Sequence, residues 1–257
     1  MKKSILLSAL YLASLPVIAQ SWSIAWKDEF KRNGLPDSSY WSFSADNRQA
    51  LPFSSGNLLN TRVSDDHLFL QIHNDIKQDT SFTTAKMHTK NKISFSAGRL
   101  ELKAKVPKDS RVLTTIGLIS THEDSASMAD YGEIEFSNQV DKARGILSAN
   151  VYNGGANQQL GNEQPHYVEM PYLNYHIYAF EWDEQSITIW FDDQVYFQHT
   201  REGEDWPFMT PMYLFINLKI AKEALPTQRI DKNFYQQLVI DYVRYFRKHE
   251  KDLSVQK

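Results

Sequence analysis

The 257-residue sequence contains no cysteine, and its acidic and basic residues are almost balanced. The absence of cysteine excludes a disulfide framework, a thiolate metal site and a cysteine nucleophile. The 28 basic residues against 31 acidic ones give a net charge of -3, so the charge gives no reason to expect a nucleic-acid partner. Any chemistry in this chain must therefore use carboxylates, histidines, hydroxyls or bound ions.

Residues 1–19 have the pattern of a secretory signal peptide. Lys2 and Lys3 precede an uncharged apolar run, and the segment ends at a small residue, Ala19. The run is shorter than the ~20 apolar residues that span a bilayer, so a permanent membrane anchor is the less favoured alternative. We therefore expect cleavage before Gln20, a mature chain that does not span a membrane, and localisation in the periplasm or outside the cell.

The mature chain shows little helical periodicity and much alternation of apolar with polar residues. In His67–His73 and Arg99–Val106, apolar residues occupy every second position. This alternation is typical of strands with one buried face. Many such strands without helix patterns between them predict an all-β fold of two stacked antiparallel sheets, a sandwich or jelly roll. Because the sequence has no linker or repeat, we predict one domain over residues 20–246 and a charged tail over residues 247–257.

A pair of carboxylates stands out within one predicted strand. Glu133 and Glu135 would point to the same face, while Ile134 and Phe136 would point to the other. Two neighbouring carboxylates suit glycosidic chemistry, in which one attacks the anomeric carbon and another acid protonates the leaving oxygen. The alternative is that both acids are solvated on the polar face of an amphipathic strand.

The segment around Glu133 resembles the signature strand of glycoside hydrolase family 16, the laminarinase and lichenase family, which is written Glu-x-Asp-x-(x)-Glu. Other segments resemble blocks of this family in the same order along nearly the whole mature chain. The resemblance implies a concanavalin A-like β-jelly roll, a sandwich of two antiparallel sheets with a concave glycan-binding face. The segments that carry it are Trp26–Phe30 with Leu35 and Tyr40–Trp41, Thr83–Lys90, Phe95–Glu101, Lys105–Pro107, Tyr175–Trp182, Ile187–Tyr196, Trp206–Phe208, Tyr213–Leu218 and Val239–Arg244.

The resemblance also implies roles for the residues of the signature strand. Glu133 matches the nucleophile, and Glu135 takes the place of the assisting aspartate. The general-acid position falls on Asn138 if the strand contains a bulge and on Ser137 if it does not. Neither side chain can protonate a leaving sugar near neutral pH, so the usual acid is missing.

Two replacements for the missing acid are open. Glu135 could carry the proton, or a loop carboxylate from Glu123, Asp124 or Asp130 could reach the cleft. The loop acids have the simpler interpretation of a solvated polar loop. The family's tryptophan-rich segment corresponds here to residues 112–118, which contain no aromatic residue.

Glycan binding needs aromatic platforms and hydrogen-bonding side chains. Trp182 and Trp206 match family positions near the groove and are the predicted platforms, with Asn217 and His88 as polar candidates. No cofactor and no metal ligand set are predicted. The resemblance allows a structural calcium ion near Glu29 and Asp241, but the sequence has no calcium-loop spacing.

Two functions of different class follow. The first is an exported protein that recognises a β-linked polysaccharide or oligosaccharide on a family 16 scaffold, with hydrolysis weakened or lost. The second is an active retaining endo-β-glycanase with Glu133 as nucleophile and a relocated acid. The missing acid favours the first, and an assay for new reducing ends on β-glucans and galactans separates the two.

Overall fold

The computed structural model describes residues 22–43, 54–56, 60–74, 82–122, 128–141, 144–154, 158–161, 166–221 and 233–248. Within these ranges the regular structure is β-strand, apart from two short 3-10 turns at Met128–Asp130 and Pro207–Met209. No helix in this part of the chain is long and apolar enough to cross a membrane. The predicted signal peptide, Glu123 and Asp124 lie outside the described residues.

The described part of the chain contains seventeen strands. They are β1 (Trp22–Asp28), β2 (Ser42–Phe43), β3 (Ser54–Gly56), β4 (Thr61–Ser64), β5 (His67–Asn74), β6 (Phe82–His88), β7 (Gly98–Lys105), β8 (Val112–Ser120), β9 (Gly132–Asp141), β10 (Arg144–Asn153), β11 (Gln158–Gly161), β12 (His166–Glu169), β13 (His176–Trp182), β14 (Ser186–Phe191), β15 (Gln194–Thr200), β16 (Met212–Ile220) and β17 (Tyr235–Lys248).

The strands form two layers. The first sheet has the order β4-β5-β17-β7-β13-β14-β15, and β1 pairs with the carboxyl-terminal half of β17. The second sheet has the order β2-β6-β16-β8-β9-β10, and β11 and β12 both pair with β10. Among the described strands, all pairings are antiparallel except that of β3 with β6. Strand β6 joins the layers, since its beginning pairs with β5 and its end with β16.

The hydrophobic core lies between the two sheets. Leu68, Leu70 and Ile72 of β5 are fully buried, as are Leu100 and Leu102 of β7, in agreement with the predicted alternation. The second sheet contributes buried side chains in the same period, because every second side chain of an antiparallel strand faces the opposite layer. The predicted all-β jelly roll of two antiparallel sheets is confirmed.

The first two residues of the predicted tail belong to the sheet, and residues 249–257 lie outside the described residues. Arg247 and Lys248 belong to β17 and pair with Ser23 and Trp22 of β1. Lys248 also forms an ion pair with Asp183 at 2.7 Å. The backbone ladder with β1 therefore keeps this charged end in the sheet, although its composition resembles a loose tail.

Candidate active site

The two predicted carboxylates lie on the outer face of the second sheet, the face turned away from the core. Strand β9 pairs with β8 and β10 without any shift of register. Glu133, Glu135 and Ser137 therefore point to this outer face, while the intervening Ile134 and Phe136 are fully buried in the core. The side-by-side placement predicted for the two glutamates is confirmed.

The regular register decides which residue occupies the predicted general-acid position. With no bulge in β9, Asn138 points into the core, where its side chain is 2% exposed. Neither amide atom of Asn138 has a hydrogen-bond partner among the described residues. The assignment of Asn138 to the cleft is therefore wrong, because a strand of period two turns it to the other face. Ser137 is the third side chain on the outer face.

Glu133 lies next to two tyrosines and one isoleucine. The Tyr131 hydroxyl donates a hydrogen bond of 2.5 Å to Glu133 Oε2. Tyr152 of β10 lies directly opposite Glu133 in the register, and its ring is 5.5 Å from that of Tyr131, edge to face. On the other side, Glu133 pairs with Ile119 of β8. One carboxylate oxygen is thus held by a phenol, and the side chain is bordered by one apolar and two aromatic residues.

Glu135 is held by polar groups instead. The Ser137 hydroxyl donates to Glu135 Oε1 at 3.0 Å, and the Asn150 side-chain amide donates to the same oxygen at 3.4 Å. Asn150 is the register partner of Glu135 on β10. Ser137 therefore positions Glu135, and its own hydroxyl is too weak an acid to replace a carboxylic acid near neutral pH.

The floor of the site contains a close approach that only glycine permits. Gly117 of β8 lies between Glu135 and Phe215 in the register. A Cβ atom added to Gly117 would lie 2.6 Å from Phe215 Cε1 and 2.7 Å from the carbonyl oxygen of Ile134. The Phe215 ring consequently lies against the β8 backbone, beside the strand that carries Glu135.

Sequence reasoning missed the aromatic residues of this floor. Tyr213 and Phe215 of β16 are each 5% exposed and pack with Ile119 and Tyr131. The alternation within Met212–Ile220 could have predicted them, because it places Tyr213 and Phe215 on the same face of the strand as Asn217. Tyr131 and Tyr152 were missed as well, because their proximity to Glu133 depends on the turn before β9 and on the pairing with β10.

The two polar candidates lie on the same outer face as the carboxylates but farther along the sheet. Asn217 pairs with Lys86 of β6 and Thr115 of β8. His88 pairs with Phe215, and its ring lies 6.1 Å from that of Tyr213. Because β16 is two strands from β9, Asn217 lies about 10 Å across the sheet from Ser137, which is in the same register row, and farther from Glu135 and Glu133.

The predicted aromatic platforms are not part of this face. Trp182 is 1% exposed and belongs to the core, where its ring lies 6.3 Å from that of Tyr245. Trp206 is 8% exposed, packs between His199 and Phe208, and donates its indole N–H to the carbonyl oxygen of Asp183. A platform must offer a ring face to the ligand, so the platform assignment is wrong for both tryptophans.

Three further acidic candidates remain: Glu29 and Asp241, which were considered for a calcium ion, and Asp130, which was considered as a relocated acid. Glu29 accepts two hydrogen bonds from Arg244, at 2.9 and 3.1 Å, and this guanidinium holds the pKa of Glu29 below its ordinary value. Asp241 forms an ion pair with Lys103 at 2.8 Å. Among the described residues, no three acidic or histidine side chains are grouped as a metal site. Asp130 is exposed in the 3-10 turn that precedes β9.

Known proteins are similar to this chain in sequence and in fold. The model of the family described as "Glycosyl hydrolases family 16" matches residues 49–244. A β-glucanase of Rhodothermus marinus is 27% identical over 247 residues, which cover 89% of this chain and 86% of the relative. A keratan-sulfate endo-1,4-β-galactosidase of Sphingobacterium multivorum is 21% identical and covers 92% of this chain and 58% of the relative. The catalytic domain of an endo-1,3-β-glucanase (laminarinase) from Thermotoga petrophila RKU-1 superposes with a TM-score of 0.74 at 22% identity, over 90% of this chain and all of that domain.

Proposed function

The chain belongs to glycosyl hydrolases family 16, the family that its sequence resembles, and from this premise we propose that it binds a β-linked polysaccharide on the outer face of the second sheet. We further propose that it hydrolyses unactivated polymer weakly or not at all. Both a β-glucanase and a β-galactosidase are among its relatives, so the proposal names β-linked polysaccharide and no single sugar.

The observation that supports this proposal is the regular register of β9, which turns Ser137, and not Asn138, to the face of the two glutamates. With this shorter spacing, the family's signature would have its general acid at position 137. In the retaining mechanism, the nucleophile attacks the anomeric carbon while an acid protonates the departing oxygen. Glu133 meets the first requirement, since it is a carboxylate on the open face of the sheet. A serine hydroxyl does not meet the second, and the loss of acid assistance typically costs about 10²- to 10⁴-fold in rate.

A second candidate function is an active retaining endo-β-glycanase in which Glu135 supplies the proton. The observation in its favour is that both hydrogen bonds to Glu135 reach Oε1, so that Oε2 receives none from the described residues. Against it, Glu135 lies only two residues from Glu133 on the same strand, in the place of the assisting aspartate. We therefore propose recognition as the main function and residual hydrolysis as the alternative.

The binding part of the proposal predicts that Tyr152 stacks on a sugar ring. This side chain is half-buried on the outer face, directly opposite Glu133. Replacing Tyr152 with alanine should weaken the affinity for an oligosaccharide by about 1 to 3 kcal/mol, because a stacking face is lost. Calorimetry with a ladder of β-glucan oligosaccharides, in the Glu133→Gln background to prevent turnover, measures the change.

Two variants control this measurement. Tyr235→Ala removes an exposed tyrosine from the first sheet and should leave the affinity unchanged. Trp182→Ala should instead lower the free energy of unfolding by about 3 to 5 kcal/mol, because it empties a core position. An unchanged affinity in Tyr152→Ala would mean that the sugar-binding position lies elsewhere on the sheet.

We also propose that the protein is exported, on the basis of the charged and apolar pattern of residues 1–19. The mature protein recovered from its native host should begin at Gln20, because the segment ends in a small residue at the expected cleavage site. Intact-mass measurement of the protein and of its amino-terminal peptide tests this. Recovery of the chain from a membrane fraction with Met1 still in place would overturn the export proposal.

A further inference from the structure

A second aromatic surface lies on the first sheet, on the face turned away from the core and thus on the opposite side of the molecule from Glu133. A row of register partners crosses four neighbouring strands there: Arg62 on β4, Phe69 on β5, Val239 on β17 and Lys105 on β7. Three strand spacings make this row about 14 Å long. Together with Tyr175, His67 and Lys103, which adjoin it, these side chains form what we call the outer-face patch.

Three aromatic rings are continuous in the outer-face patch. The Tyr175 ring lies 5.5 Å from the ring of His67, and the two planes are inclined by only 33°. His67 is in turn 6.4 Å from Phe69. All three side chains are partly exposed, whereas Val239 beneath them is buried although it does not belong to the core between the sheets. The patch thus offers ring faces to the solvent over an apolar base.

Cations border these rings. The Lys103 and Lys105 ammonium groups lie 5.6 and 5.4 Å from the Tyr175 ring centre, and the Arg62 guanidinium lies 4.4 Å from that of Phe69. Lys103 is paired with Asp241 at 2.8 Å. Arg62 and Lys105 form no ion pair with any described side chain. Two acids occur at the edge, in the turn between β4 and β5, and one of them, Asp66, is paired with Lys31 at 3.0 Å.

We propose that the outer-face patch is a second carbohydrate site, which binds a polysaccharide carrying anionic groups, either sulfate esters or carboxylates. Sugar rings have flat apolar faces that stack on aromatic side chains, and Arg62 and Lys105 would pair with the anionic groups. The choice of a polysaccharide over another polyanion rests on the proposed function of the opposite face. Two sites on one chain would hold the protein on an extended polymer more tightly than either site alone.

The test compares laminarin with sulfated laminarin, two probes with the same backbone and different charge. In the mature protein carrying Glu133→Gln, Lys105→Glu and Tyr175→Ala should each weaken the affinity for sulfated laminarin by about tenfold or more. The affinity for neutral laminarin, which we assign to the site at Glu133, should remain unchanged. Isothermal titration calorimetry at fixed ionic strength measures both affinities.

Matched controls separate a specific site from general charge attraction. Arg247→Glu changes the net charge by the same amount at an exposed position at the far end of β17, and it should not affect sulfated laminarin. The second site would be overturned if Arg247→Glu weakened the affinity for sulfated laminarin as much as Lys105→Glu does. It would also be overturned if only Tyr152→Ala weakened that affinity. Equal affinity of the wild-type protein for double-stranded DNA or anionic lipid vesicles would also overturn it. If Lys105→Glu weakens the binding of sulfated laminarin but the protein binds neither neutral laminarin nor a neutral galactan, the result counts against the site at Glu133 and not against the second site.

Discussion

Ser137→Glu should raise the hydrolysis of the preferred β-linked polymer by at least about 10²-fold over the wild-type protein. The reason is that Ser137 is the third outward-facing side chain of β9, after Glu133 and Glu135, and stands where the family's general acid is expected. A carboxylic acid there supplies the proton that the leaving sugar oxygen needs. New reducing ends released from a panel of β-glucans and galactans measure the gain.

Asn138→Glu is the matched control, because it places the same side chain one residue farther along. Asn138 faces the core, so a glutamate there should give no gain in hydrolysis and should destabilise the fold by several kcal/mol, since a carboxyl group would be buried without a partner. Asn138→Leu should be neutral or stabilising by about 1 to 3 kcal/mol, because the amide has no hydrogen-bond partner to lose among the described residues. If Asn138→Glu restored hydrolysis and Ser137→Glu did not, β9 would have to contain a bulge in solution.

An aryl glycoside whose leaving group needs no protonation should react faster with the wild-type protein than the natural polymer does, by about 10²- to 10⁴-fold. The expected difference follows from the separation of roles in the retaining mechanism, where Glu133 attacks carbon and another group protonates oxygen. Glu133 has retained its place on the open face, with Tyr131 holding one carboxylate oxygen. The absorbance of the released phenolate gives the rate.

Glu133→Gln should abolish this reaction, and Glu135→Gln should reduce it without abolishing it. The comparison of the two variants identifies the attacking carboxylate, because they change neighbouring side chains on the same strand in the same way. Wild-type cleavage of polymer at a rate that Ser137→Glu does not improve would establish a relocated acid and would refute the recognition proposal. No reaction of any variant with the activated glycoside would mean that Glu133 no longer acts as a nucleophile.

The family resemblance predicts platform roles for Trp182 and Trp206, and both side chains are buried. The alternation in His176–Trp182 already places Trp182 on the face of Tyr178 and Phe180, both of which are buried. For Trp182, the local alternation therefore predicts the buried position better than the family position does. Trp206 is different, because it precedes a 3-10 turn and no period in its surroundings indicates that its ring packs between His199 and Phe208.

The sequence by itself determined the all-β fold, the buried side of the main strands and the placement of Glu133 and Glu135 on one face. It could do so because a period of two is a local property of each strand. The order of the family-like segments also indicated the jelly roll. None of these inferences required knowledge of which strands are neighbours.

Only the tertiary structure decided which residue follows the two glutamates on the open face. A bulge is a property of the pairing between strands, and the unshifted register of β9 with β8 and β10 turns Asn138 inward and Ser137 outward. The same holds for Tyr152, Phe215 and the outer-face patch, whose members come from strands far apart in the chain. Their contacts depend on which strands are hydrogen-bonded neighbours in the sheet. The alternation within a single strand does not indicate which strand pairs with it.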